Sequence, residues 1–177
     1  MIGERLSAAI NEQIKNELES YYIYLSMAAY FQSTSLDGMA HYMRCQAHEE
    51  MAHAMKFFDH LIERGGRVVL QDLRQLKNEW SSPAEAFKDA YEHEQFISGK
   101  INDLTTIARE EKDYAAEPML AWFTEEQIEE EASAGKIVDH LEMISENKSA
   151  LLMLDRELGQ RTFPAGSPLD PAAAEAK

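Results

Sequence analysis

Apolar residues recur along most of this chain every three or four positions, the period of an α-helix that buries one side. Over residues 5–33 the stripe reads Leu6, Ile10, Ile14, Tyr21, Tyr24 or Leu25, Ala28 and Phe31, which predicts a first helix about 42 Å long. Ser33-Thr34-Ser35 and Asp37-Gly38 break the pattern. A second helix follows over 36–64, with Met43, Ala47, Ala54, Phe57 and Leu61 on one face and Gly65-Gly66 at its end, where positive φ costs little. Residues 67–81 carry no helical repeat and lead into Ser82-Pro83-Ala84-Glu85, which reads as an N-cap, a first-turn proline and a capping-box glutamate. A third helix is therefore predicted over 83–112, apolar at Phe87, Ala90, Tyr91, Ile97, Ile101, Leu104 and Ile107. A short polar turn separates it from a fourth over 117–146, apolar at Leu120, Phe123, Ala134, Ile137, Leu141 and Ile144. A fifth, over 148–158, carries Leu151, Leu152, Leu154 and Leu158 and stops at Gly159.

Strand-like alternation is nearly absent, so the fold class is all-α. A structureless stretch as long as 67–81 is unusual inside a compact domain, but a bundle whose second helix pair starts at the same end as the first requires it. The expected architecture is an antiparallel four-helix bundle with one long crossover plus a short C-terminal fifth helix. One domain spans 1–161, and 162–177, rich in Pro and Ala, is expected to be a disordered tail. The four leucines of the fifth helix form an apolar patch larger than one subunit readily covers, which points to contact with neighbouring subunits.

Composition narrows the function. A formal charge of −15 over 177 residues argues against nucleic acid as a partner, because phosphate binding needs a basic face, and it suits a protein that handles cations. The single Cys45 excludes an internal disulfide, residues 1–7 contain no apolar run of signal-peptide length, and a cytoplasmic location is expected. No stretch approaches the ~20 apolar residues of a membrane span.

The candidate chemistry lies where polar residues interrupt the stripes: Glu17 on the first helix, Glu50 with His53 on the second, Glu94 on the third, Gln127 with Glu130 on the fourth. Glu50 and His53 sit one turn apart on one face, so both can reach one metal ion from a single rigid element. An isolated Glu-x-x-His arises readily by chance, but here ligand-type residues interrupt all four apolar faces near mid-helix, where antiparallel packing brings them level. Unpaired buried carboxylates carry an effective penalty of several kcal/mol each. Two divalent ions would match the four carboxylates, with neutral His53 and the amide oxygen of Gln127 completing the shell. Hard oxygen donors with one imidazole and no thiolate suit Fe2+ or Mn2+ rather than a structural zinc. Tyr24, close to Glu17 on the same face, favours iron, as expected where O2 chemistry takes place. Glu49, Glu126 and Glu129 each adjoin a core ligand and point about 100° away from it. They form either a second acidic site beside the first or merely solvated faces, Glu126 and Glu129 lying within the dense acidic run 125–131. Met51 is read as packing rather than a haem ligand, and His41, His48, His60, His93 and His140 as surface or core histidines.

Asn11-Glu12-Gln13, Glu49-Glu50-Met51-Ala52-His53, Glu92-His93-Glu94, Trp122-Phe123, the run from Glu126 to Glu131 and Leu154-Asp155-Arg156-Glu157-Leu158 together resemble the non-haem ferritins of bacteria and archaea over nearly the whole chain. The resemblance implies a homo-oligomeric hollow shell of 24 subunits that oxidises Fe2+ with O2 or H2O2 and stores the ferric mineral inside. It also implies a dinuclear iron centre on Glu17, Glu50, His53, Glu94, Gln127 and Glu130, with Tyr24 beside it, and a third iron site on Glu49, Glu126 and Glu129. The fourth helix reads Gln127-x-x-Glu130 where a bacterioferritin would carry Glu-x-x-His, so no haem is expected despite Met51. Mini-ferritins, which build their site between subunits, lack the intrasubunit ligand set and the fifth helix. The alternative is a di-iron peroxidase or oxidase of rubrerythrin type. Such chains usually add a Cys-rich module, and Cys45 stands alone here.

Overall fold

Local signals set the helix ends. The computed structural model describes residues 1–163 and forms α1 (Glu4–Ser33), α2 (Asp37–Glu63), α3 (Pro83–Glu110), α4 (Glu117–Ile144) and α5 (Lys148–Leu158). After α2, Gly65 takes φ +74°, the left-handed turn that glycine adopts at no steric cost. At the start of α3 the Ser82 hydroxyl accepts from the Glu85 N–H at 3.1 Å, while Glu85 accepts from the Ser81 N–H at 2.7 Å. The third and fourth helices end two residues before their expected limits because Lys112 (φ 56°) and Ser145 (φ 49°) turn left-handed. At α5 the Asn147 side chain accepts from the Ala150 N–H at 3.1 Å.

Helix α1 packs along α2 and α3 along α4, with α1 and α3 joining the two pairs. The crossover is held by single residues rather than by a pattern of its own: polar side chains of α1 line most of it, and Asp89 of α3 holds its end, accepting from Lys77 Nζ at 2.7 Å and from Trp80 Nε1 at 2.8 Å. Asn11 donates to the Arg67 carbonyl at 3.0 Å and accepts from the Val69 N–H at 2.7 Å. Glu19 accepts from the Arg74 N–H and pairs with its guanidinium, both at 3.1 Å. Ser26 donates to the Lys77 carbonyl at 2.8 Å. Asn11, Glu19 and Ser26 lie about two helical turns apart, so one edge of α1 guides the crossover along the bundle. Satisfying backbone groups that have no helix or sheet to pair in is what this arrangement accomplishes.

The apolar core is in two parts. One contains Tyr24, Met27 and Phe31 of α1, Met39, Met43 and Ala47 of α2, Phe87 and Ala90 of α3, and Ile137 and Leu141 of α4. The other contains Leu6, Ile10 and Ile14, then Phe57 and Leu61, then Ile97, Ile101 and Leu104, then Leu120 and Phe123. On each of α1 to α4 the gap between the two parts falls at the polar interruption: Glu17, Glu50 and His53, Glu94, Gln127 and Glu130. The bundle is two apolar blocks with a buried polar layer between them.

Helix α5 differs from its expected role. Leu154 and Leu158 are buried within their own chain and Leu151 packs against the same core, so most of the leucine patch needs no neighbour. Asp155 accepts from the Met39 N–H at 2.8 Å, capping the start of α2 from outside that helix. A Cβ at Gly38 would come within 1.7 Å of the Asp155 carbonyl oxygen, which explains the glycine. Leu152 and Met153 of α5, with Met143 of α4, remain exposed. Loss of one cap typically costs about 1 kcal/mol, a shift of roughly 2–4 °C at this chain length. Asp155→Ala is accordingly expected to lower the thermal midpoint by that amount, and an unchanged melting curve would show that the cap contributes nothing. The expected disordered tail began at residue 162, yet Phe163 is buried with its ring edge-on to His41 at 4.7 Å. The remainder of that expected tail, 164–177, lies outside the described residues.

Candidate metal centre

The polar layer gathers a buried trio. Glu17 from α1 and Glu50 with His53 from α2 each place one ligand-type atom within 4.8 Å of the others. The helical period explains why one element supplies two of them: His53 Nδ1 lies 3.5 Å from Glu50 Oε2, one turn away. Glu17 is fully buried; its Oε1 accepts from Gln13 Nε2 at 2.7 Å, whereas its Oε2 has no hydrogen-bond partner. A buried carboxylate oxygen left without a donor is costly unless a proton or a cation meets it.

Opposite the trio, α3 and α4 contribute Glu94, Gln127 and Glu130, all buried. Tyr24 donates its phenolic hydrogen to Glu94 Oε1. Gln127 Nε2 donates to Glu94 Oε2 at 3.1 Å and to the Glu94 carbonyl at 3.2 Å, leaving the amide oxygen as the end not committed to Glu94. Gln46 Nε2 donates to Glu130 Oε2 at 2.7 Å. The His53 ring meets Trp122 and Phe123 edge-on at 5.6 and 5.5 Å, so aromatic surface walls that side of the layer.

The electrostatics follow from the crowding. Burial, then the charge of Glu50, pushes the Glu17 carboxyl up to about 8. Burial and Glu130 push Glu94 up to about 7 against the hydrogen bonds of Tyr24 and Gln127. Glu50 is raised well above the carboxylate range by burial, then by Glu94 and Glu130, and Glu130 is raised mainly by burial. The Tyr24 phenol is likewise raised, by burial and then Glu94, so it stays a hydrogen-bond donor. All of these carboxyls express the same demand for positive charge. The donor set, carboxylates with one imidazole, fits divalent iron or manganese.

The other acidic set is looser. Glu49 and Glu126 are half-buried and Glu129 is exposed. Among the described residues no group of three His, Cys, Asp or Glu other than the Glu17 trio comes within that 4.8 Å limit, and Glu49 instead pairs with Arg161 at 2.5 Å. Sequence reasoning missed four polar supports: Gln13, Gln46, Arg161, and the Ser20–His93 pair, in which Ser20 Oγ lies 2.7 Å from His93 Nε2. Burial holds His93 down to about 4, so it stays neutral inside the bundle. A signal for two of them existed, since Gln13 and Gln46 stand four residues before Glu17 and Glu50, on the same faces.

Comparison with known proteins agrees with this architecture. Residues 7–144 match the ferritin-like domain family. A bacterial non-heme ferritin of Bacteroides fragilis is 40% identical over 161 residues, covering 91% of this chain and 100% of that one. One from Staphylococcus epidermidis is 36% identical over 163 residues, covering 92% of this chain and 98% of that protein. Among solved structures, a humanized archaeal ferritin superposes with a TM-score of 0.91 at 49% identity over 93% of this chain and 99% of its own. An open pore ferritin of the hyperthermophilic archaeon Archaeoglobus fulgidus gives a TM-score of 0.90 at 48% identity over 92% and 100%. The four helices, the polar layer between two apolar blocks and these near full-length matches lead to one assignment: the chain belongs to the ferritin-like domain family.

Proposed function

We propose that the protein stores iron and that its polar layer is a ferroxidase centre, oxidising Fe2+ with O2 and passing the ferric product to a mineral inside a shell of 24 subunits. Family membership supports storage. The observation that carries the oxidation step is the buried Glu17–Glu50–His53 trio with the partnerless Glu17 oxygen. In this reading Glu17, Glu50, His53, Glu94, Gln127 and Glu130 hold two Fe2+ as substrate, their four negative charges balancing four positive ones. The two ions give up two electrons, which with two protons reduce one O2 to H2O2. Trp122 and Phe123 limit water beside His53, so the carboxylates rather than solvent meet the metal. With one imidazole and otherwise oxygen donors, the site serves as a transit station, and Glu49, Glu126 and Glu129 offer a third cation position beside it. A cytoplasmic setting, expected from the sequence, fits this role.

Aerobic addition of Fe2+ followed by size-exclusion chromatography and iron analysis tests the reading. Storage gives a large particle holding many irons per subunit; a small particle holding two or fewer would overturn it. Tyr24 touches Glu94 rather than the trio. Its expected role is to hold that carboxylate, so Tyr24→Phe should slow oxidation several-fold while leaving the number of Fe2+ bound under anaerobic conditions unchanged. Loss of a bound ion would instead make Tyr24 part of the binding set.

A further inference from the structure

Arg161 follows α5 and reaches back to the polar layer. Its Nη2 donates to Glu49 Oε2 at 2.5 Å and its Nη1 donates to Gln46 Oε1. Gln46 in turn donates to Glu130 Oε2 at 2.7 Å. The residue is held from other sides as well: its guanidinium lies 4.6 Å from the centre of the Tyr42 ring, and its backbone carbonyl is 2.6 Å from His41 Nε2. The segment after α5 thus delivers one fixed positive charge to Glu49 and, through Gln46, reaches Glu130.

We infer that Arg161 is a built-in competitor for the Glu49 cation position and, through Gln46, a positioning residue for Glu130. The inference rests on the proposed role of Glu49, Glu126 and Glu129 as a third cation position. Glu49 Oε2 is already 2.5 Å from a guanidinium nitrogen, so a divalent ion taking that oxygen brings two like-charged groups close together and competes with Arg161 for it. The structure gives the side chain somewhere to go. Arg161 borders a cleft of about 260 Å³ that is also lined by Tyr42, Lys136, His140 and Glu157, and Glu157 offers an alternative carboxylate. Two consequences follow. The Glu49 position binds cations more weakly than the Glu17 trio, as a transfer position should. Cation arrival there also releases Gln46 from Arg161, so occupancy beside the dinuclear centre is felt at Glu130.

The test is calorimetric titration of the full-length assembled protein with Zn2+, a redox-inert divalent ion. In Arg161→Met the Glu49-dependent binding step should tighten about tenfold, the size of one moderately desolvated charge contact. Adding Glu49→Gln should cancel the gain. Arg161→Gln, which keeps hydrogen-bonding capacity without charge, should behave like Arg161→Met and serves if the latter fails to assemble. An unchanged or weaker Glu49-dependent step in the neutral variants, with only a lowered thermal midpoint, would mean that Arg161 is structural and would overturn the inference. The reading of the dinuclear centre fails separately, if Glu50→Ala gives the wild-type Zn2+ isotherm.

Discussion

Between pH 5 and pH 8, protein stripped of metal by chelator is expected to lose roughly 10 °C of thermal stability. Glu17 is held at about 8 and Glu94 at about 7, against an ordinary value of 4.5, so in this window the folded chain binds more protons than the unfolded one. Stability contributed by the protonated carboxyls is fully present below the unfolded value and disappears as pH rises through the folded values. A tenfold change in proton affinity corresponds to about 1.4 kcal/mol, and these carboxyls repel one another when charged, so the effect is several kcal/mol rather than a sum over sites. Mn2+ or Zn2+ added at pH 8 should recover most of the loss, since a cation answers the same demand as the protons. Thermal denaturation by circular dichroism at the two pH values, with and without metal, checks both signs. A midpoint that rises with pH without metal would contradict the electrostatic account.

Glu17→Gln is expected to move stability and activity in opposite directions. The amide keeps an oxygen for Gln13 Nε2 and turns an N–H toward Glu50, the neighbour whose charge raises Glu17. One buried charge disappears with no hydrogen bond lost, so at pH 8 the metal-stripped variant should melt several degrees above wild type. Fe2+ oxidation should fall by on the order of 10²-fold, because a neutral amide is a poorer ligand and the charge balance for two divalent ions is broken. A variant both less stable and fully active would show that Glu17 serves the fold alone.

Much of this arrangement is legible in the sequence for a specific reason. Helical periodicity is a strong signal over four long stretches, and a charged residue inside an apolar stripe is conspicuous against it, which is how Glu17, Glu50, Glu94 and Glu130 stand out. Three things were not legible. The crossover has no period; its position depends on Asn11, Glu19 and Ser26, which look like ordinary polar surface until the chain returns past them. The fifth helix reads as an apolar patch needing neighbours because its partner within the chain is the start of α2, over a hundred residues earlier, reached through Asp155 and the close approach at Gly38. Arg161 falls outside every periodic stretch, and nothing local connects it to Glu49 or Gln46.

The most direct test is stopped-flow measurement of aerobic Fe2+ oxidation in the first seconds, comparing wild type with Glu50→Ala and His53→Ala, each first shown by circular dichroism and light scattering to be folded and assembled. The trio predicts a rapid phase in wild type and a loss of on the order of 10²-fold in either variant. Rapid oxidation at the wild-type rate in a folded Glu50→Ala or His53→Ala protein would contradict the assignment of the polar layer as the ferroxidase centre.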